Sequence, residues 1–301
     1  MVRHQRSGFL NAVTLNDVRN PEFWRGLRGD LSITVAGSDQ LVPTPVLTKP
    51  QIAQVREDLG REGYVQIDGF FDRDYVTRLA QGIHTLRSNG LLPVFALVFD
   101  EYWNIARRTG DLLRHLLGAD YAQLPDFWSW YLDPATEEKG WGPHRDKGHV
   151  ECLLPDGSPM SLTTWIPLTD VSPLNGCMYL LPAHLDPKYA EGIMPTTEEV
   201  MQGVRALPAS AGTLFIWNQR VLHWGGSSSR RARVPRVSIA FEFQRGDIPA
   251  FNKPLLTAPA TLPDFSTRIQ LIGKQIMQYT HMYGYDDSLV TAAKHMAEGV
   301  L

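Results

Sequence analysis

The chain has 301 residues, 43% hydrophobic and 20% charged, with a formal net charge of -3 and a pI near 6.3. These values suit a soluble globular protein and give no electrostatic basis for binding nucleic acid or acidic membranes. Cys152 and Cys177 are too few for a disulfide scaffold or a thiolate zinc site, and they suit a reduced, cytoplasmic setting. The charged start, Met1–Leu10, is followed by no apolar run, so no secretory signal is expected. Leu91–Phe99 is the longest apolar stretch; it contains Pro93 and is too short to span a bilayer. A chain this long needs no structural metal to hold a small core together, so a metal here would serve chemistry.

Residues 1–47 carry weak patterns: Leu31–Val35 predicts a short strand, and Pro43 and Pro45 mark a linker. Thr48 and Gln51 then have capping-box spacing, with Pro50 in the first turn and Ile52, Val55 and Leu59 on one helical face. Gly63 should stop that helix, Tyr64–Ile67 should form a strand ended by Gly69, and Asp72 should start a second helix. Tyr75, Val76, Leu79 and Ile83 form its apolar stripe, and a third helix is predicted from about Glu101 to Leu117.

From Phe127 the pattern changes to short strands between Gly, Pro and Asn-Gly turns, the mark of an antiparallel barrel or sandwich. The predicted strands are Phe127–Leu132, Cys152–Leu154, Leu162–Leu168, Met178–Leu181, Thr213–Trp217, Val221–His223 and Val234–Phe243. Beyond Pro263 the chain should turn helical again, capped by Asp264, with Ile269, Ile272 and Ile276 on one face. Three parts are expected: an N-terminal extension (1–47), a mainly β domain with N-terminal helices (48–248), and a C-terminal helical extension packed on the core (249–301).

The chemistry concentrates in His144-Arg145-Asp146 and His223. Side chains alternate along a strand, so His144 and Asp146 would project together while Arg145 and Lys147 face away. With His223 they make two imidazoles and one carboxylate, the ligand set of a mononuclear non-haem Fe(II) centre with open positions. Along Val234–Phe243, Arg236, Ser238 and Ala240 share one face, while Val237, Ile239, Phe241 and Phe243 share the other. A buried arginine needs an anion, which a co-substrate carboxylate would supply; a structural ion pair with Glu242 on the same face is the alternative. The histidines likewise have a purely structural alternative. Six of the eight tryptophans lie between Trp128 and Trp224, as core filling or as an aromatic pocket. Trp141 is the best candidate to touch substrate, and His149 would rim the site.

With these residues in place, the segment from about Thr48 to Gln244 resembles the phytanoyl-CoA dioxygenase family of Fe(II)/2-oxoglutarate oxygenases. The resemblance is carried by Glu62–Phe70, His144-Arg-Asp146, Thr164–Gly176, Leu181-Pro-Ala-His184, and Gly212–Trp217 leading into His223. It implies a double-stranded β-helix (jelly-roll, cupin-like) core with flanking helices. By the same resemblance His144, Asp146 and His223 are the iron ligands, Arg236 with Ser238 binds the distal carboxylate of 2-oxoglutarate, and Trp165 lines that pocket; strand alternation puts Thr163 on the same face as Trp165, as a second-choice contact. The implied enzyme is a dioxygenase using Fe(II), 2-oxoglutarate and O2 to hydroxylate an unactivated C–H bond, releasing succinate and CO2. Asp146 leaves no position for a bound halide, so halogenation is not expected. The family's range, from acyl thioesters to secondary-metabolite skeletons, leaves the substrate open. The absence of a Lys/Arg run in the core favours a free small molecule over a coenzyme A ester. The alternatives are desaturation, cyclisation or epoxidation by the same cofactors, a nucleic-acid or protein demethylase or hydroxylase on the same barrel (the acidic charge argues against the nucleic-acid version), or a non-enzymatic metal- or ligand-binding barrel. The expected partner is a small-molecule substrate, with neither nucleic acid nor membrane, acting on a monomer or homodimer.

Overall fold

The structure is a computed structural model, and it describes residues 13–148, 150–256 and 261–299. Eight strands are labelled here in chain order: β1 (Tyr64–Ile67), β2 (Ala122–Leu132), β3 (Ser161–Pro167), β4 (Met178–Leu181), β5 (Arg205–Leu207), β6 (Leu214–Asn218), β7 (Leu222–Gly225) and β8 (Arg236–Gln244). They form two antiparallel sheets, ordered β1-β6-β3-β8-β2 and β5-β4-β7. The larger sheet carries helices on one side and faces the smaller sheet on the other, which is a double-stranded β-helix with flanking helices.

Strand β8 shows why the layers form. Val237, Ile239, Phe241 and Phe243 are buried in the cluster that includes Val76, Leu79 and Ile83 of helix Arg73–Ser88 and Ile269 and Ile272 of helix Phe265–Gln278. Ala240, on the opposite face, packs with Trp165, Phe215 and Trp217 of the same sheet and Met178 and Leu180 of the smaller one. Two apolar clusters on opposite faces of one sheet are what strand alternation requires.

Helix Lys49–Glu62 opens on the expected capping box between Thr48 and Gln51 and ends at Gly63, whose φ of +78° is left-handed. A side chain at Gly63 would also run into Val221, 2.5 Å from where its Cβ would stand. Asp72 and Asp264 cap their helices as expected, accepting from the amides of Tyr75 and Thr267. The buried ion pair of Arg268 with Asp100, at 2.6 Å, ties helix Phe265–Gln278 to the start of helix Asp100–Arg108. Among the described residues no helix is long and apolar enough to cross a membrane.

Several expectations are corrected. Leu31–Val35 is not a strand, because the amides of Ser32 and Thr34 donate to the carboxylates of Glu101 and Asp100 instead of to a neighbouring strand. The helix expected from Glu101 to Leu117 is two, Asp100–Arg108 and Gly110–Leu117, divided where the Thr109 hydroxyl donates back to the Ala106 carbonyl. Cys152–Leu154 forms a tight hairpin turn with a single Leu153–Pro159 bridge rather than a strand. Sequence reading also passed over β5 and the short helices Leu15–Val18, Pro21–Leu27 and Thr197–Met201, which are too short to show a period.

Candidate active site

His144 and His223 come from different parts of the barrel and are joined by their own backbones. The His144 amide donates to the His223 carbonyl and the His223 amide to the His144 carbonyl, both at 3.0 Å. The ring centroids stand 4.4 Å apart. Of His144 and Asp146 only the former takes part in this bridge, and Asp146 lies in the turn that follows, so these two share an orientation through a bridge and a turn rather than through a continuous strand. Arg145 does face away, its guanidinium buried against Asp186 at 2.7 Å. Lys147 does not: its ammonium reaches Glu242 at 3.1 Å, beside the pocket.

The ligand atoms of His144, Asp146 and His223 all lie within 4.8 Å of one another. Asp146 Oδ1 is 3.5 Å from Nε2 of each histidine. Two ligands at about 2.1 Å from a metal and at right angles would be ~3 Å apart, so Oδ1 stands about half an ångström beyond that spacing from each Nε2. Nδ1 of His144 is 2.7 Å from the Gly142 carbonyl and Nδ1 of His223 is 3.1 Å from the Val221 carbonyl. Those carbonyls place the ring protons on Nδ1 and leave both Nε2 lone pairs for a cation. The other oxygen of Asp146 accepts from Thr163 Oγ1 at 2.7 Å and from Trp217 Nε1 at 3.1 Å, which fixes Oδ1 toward the histidines.

The electrostatics suit a cation. Burial pushes His223 down to about 4, so it is a neutral imidazole at physiological pH. Burial alone would raise Asp146, but the two histidines and the Thr163 hydroxyl outweigh it and hold the carboxyl far below the usual range. Burial would lower His144, but the Asp146 carboxylate and the Gly142 carbonyl together raise it.

The three residues line a pocket of about 510 Å³, counted to its open mouth, together with Thr163, Trp165 and Arg236. Arg236 is 1% exposed and sits 5.9 Å from the Trp165 ring. Its Nη1 donates to the Gly176 carbonyl at 2.7 Å, while its Nε is buried without a partner. Burial pushes its guanidinium down to about 10. The structural pair with Glu242 does not form; Glu242 accepts instead from Lys147 and Gln219, because it lies six positions along an extended strand from Arg236. Ser238 is fully buried and its hydroxyl also lacks a partner. Trp141 lines the pocket with its ring 6.0 Å from that of His144. His149 lies outside the described residues. Sequence reasoning missed Asp126, Glu242 and Tyr279 as pocket residues; alternation along β8 is the signal that reaches Glu242.

A double-stranded β-helix with two imidazoles and a carboxylate gathered in its pocket is the architecture of the 2-oxoglutarate-dependent non-haem iron oxygenases. Residues 93–234 match the phytanoyl-CoA dioxygenase (PhyH) family. No curated protein matches the chain. Among solved structures it is similar to the epimerase SnoN in complex with Fe3+, alpha ketoglutarate and nogalamycin RO (18% identity, TM-score 0.54, covering 69% of this chain and 93% of that one). It is also similar to EctD from S. alaskensis with bound Fe (17% identity, TM-score 0.51, 72% and 85% covered). A third is the alpha ketoglutarate dependent carbocyclase SnoK from nogalamycin biosynthesis (18% identity, TM-score 0.50, 72% and 100% covered). At these identities the likeness is one of fold.

Proposed function

We propose that this chain is an Fe(II)- and 2-oxoglutarate-dependent oxygenase that hydroxylates an unactivated C–H bond of a small molecule. The observation that carries the reading is the meeting, in one pocket, of the His144–Asp146–His223 cluster with a buried guanidinium that has no anionic partner among the described residues. The donor set fits the co-substrate: Arg236 Nε, Ser238 Oγ and Trp130 Nε1 are buried without partners, and Trp130 pairs with Ser238 across β2 and β8. Unmatched buried donors are costly, and a carboxylate is the group that matches them.

Iron and 2-oxoglutarate, when bound, supply the activation of dioxygen coupled to loss of CO2 from the keto acid, giving succinate. The chain's own contribution is positioning. His144 and His223 offer their Nε2 atoms and Asp146 offers Oδ1, while Thr163 and Trp217 hold its second oxygen. Arg236 and Ser238 hold the distal carboxylate of the co-substrate, and the aromatic walls formed by Trp141 and Trp165 keep bulk water from the reacting centre. Product analysis separates hydroxylation from desaturation, cyclisation or epoxidation.

The test is anaerobic addition of Fe(II) and 2-oxoglutarate to metal-free protein, watching for the visible metal-to-ligand charge-transfer band. The band is expected in the wild type and absent in His144→Ala. Wild-type protein that binds iron but gives no band would leave a non-catalytic binding barrel as the reading.

A further inference from the structure

The pocket wall opposite the guanidinium bears on the class of substrate, an inference that rests on the oxygenase reading. The lumen face of β8 runs Arg236, Ser238, Ala240, Glu242, which sets the first and last roughly 20 Å apart along the strand. Asp126 joins Glu242 because β2 bulges there: its register jumps between Gln123, opposite Phe243, and Phe127, opposite Phe241. Bulges re-aim side chains, and this one brings a carboxylate that is only 2% exposed to the pocket lining.

The charges on this wall do not balance. Asp126 accepts from Asn252 Nδ2 at 2.9 Å and from Gln278 Nε2 at 2.6 Å, both neutral amides, and no basic group pairs with it among the described residues. Glu242 has Lys147 at 3.1 Å. With Asp146 turned to the metal and Arg236 to the co-substrate, two carboxylates face one ammonium. Gln219, fully buried and donating to Glu242, has an Oε1 acceptor with no donor. A buried carboxylate without a counter-ion is strongly disfavoured, so the wall calls for a cationic donor.

The rings beside it suit the same ligand. Tyr279 packs 4.5 Å from Trp141 and 5.1 Å from Trp128, and all three line the pocket. Both indole N–H groups donate to the Tyr283 hydroxyl at 2.9 Å, so these tryptophans offer a ligand their faces rather than their donors. Indole and phenol faces attract cations. We infer that the substrate carries a cationic nitrogen, an alkylammonium or guanidinium group, held by Asp126 and Glu242 against the faces of Trp128, Trp141 and Tyr279.

The experiment uses 3-phenylpropylamine, 3-phenylpropan-1-ol and 3-phenylpropanoate as probes of one skeleton and three charges. Each is titrated anaerobically into the full chain with Fe(II) and 2-oxoglutarate, reading tryptophan fluorescence and the charge-transfer band together. The amine is expected to bind at least tenfold more tightly than the alcohol or the acid, and Asp126→Asn and Glu242→Gln should each shrink that preference. Equal affinities, binding of none at millimolar concentration, or a preference that survives in both variants would overturn the inference. A band without an amine preference sinks this inference alone, whereas no band sinks the oxygenase reading.

Discussion

Arg236→Met distinguishes a co-substrate clamp from a structural cation, because the two roles give opposite signs in the ligand-free protein. The side chain is 1% exposed; among the described residues no carboxylate is in salt-bridge range, and the oxygen it donates to is the Gly176 carbonyl at 2.7 Å. Burial lowers the guanidinium from 12.5 to about 10. At neutral pH that depression corresponds to about 3 kcal/mol against the folded state. Methionine keeps the length of the stem and gives up one charged hydrogen bond worth roughly 1.5–3 kcal/mol. The ligand-free variant should therefore be as stable as the wild type, or more stable by up to ~2 kcal/mol. Loss of two charge-assisted bonds to 2-oxoglutarate, at roughly 3–5 kcal/mol together, should raise its dissociation constant at least ~100-fold. Urea denaturation of metal-free protein reads the first quantity, and titration of the charge-transfer band reads the second. A variant destabilised by more than ~2 kcal/mol, with 2-oxoglutarate affinity unchanged, would refute the clamp.

Three further outcomes follow from the same geometry. Burial, reinforced by Asp126 and Asp146 and opposed by Lys147, pushes Glu242 from 4.5 up to about 7. The folded chain therefore keeps a proton that the unfolded chain releases, and Glu242's contribution to stability is lost as pH rises from about 4.5 to about 7. Glu242→Gln should flatten that slope in urea denaturation series at pH 5 and pH 7.5; an unchanged slope would show that Glu242 titrates normally. Trp217→Phe removes the 3.1 Å donor to Asp146 and should weaken Fe(II) binding roughly tenfold, as measured by competition with a chelator. Unaltered affinity would mean that Thr163 alone orients the carboxylate. In Gly225→Ala the new Cβ would stand 2.8 Å from both Arg236 Nη1 and Gly140 Cα. It should weaken 2-oxoglutarate while sparing Fe(II), and a normal co-substrate titration would place Arg236 elsewhere in solution.

The faces of β8 are legible from the sequence because its two sides meet chemically different neighbours, so alternation sorts Arg236 and Ser238 from Val237 and Ile239 without a structure. Helix caps at Thr48, Asp72 and Asp264 are legible for a similar reason: the cap and its target amide lie three residues apart. The acidic wall is not. Asp126 reaches the pocket only through a bulge that breaks the period, and its amide partners Asn252 and Gln278 lie 126 and 152 residues away. Tyr279 is hidden in the same way, at the end of a C-terminal helix whose apolar stripe says only that it packs. The turn that carries Asp146 resembles a strand in sequence because a His-x-Asp spacing gives a similar shared direction in either form.

The mutual hydrogen bonds of His144 and His223 have a consequence for how a metal is gained and lost. The two imidazoles are aligned as the barrel folds, so metal capture needs no search by either ring. Asp146 Oδ1 stands 3.5 Å from each Nε2, about half an ångström beyond the ~3 Å of two ligands on one metal. One backbone bridge thus carries both imidazoles, and opening it would part the two candidate nitrogen ligands in a single event.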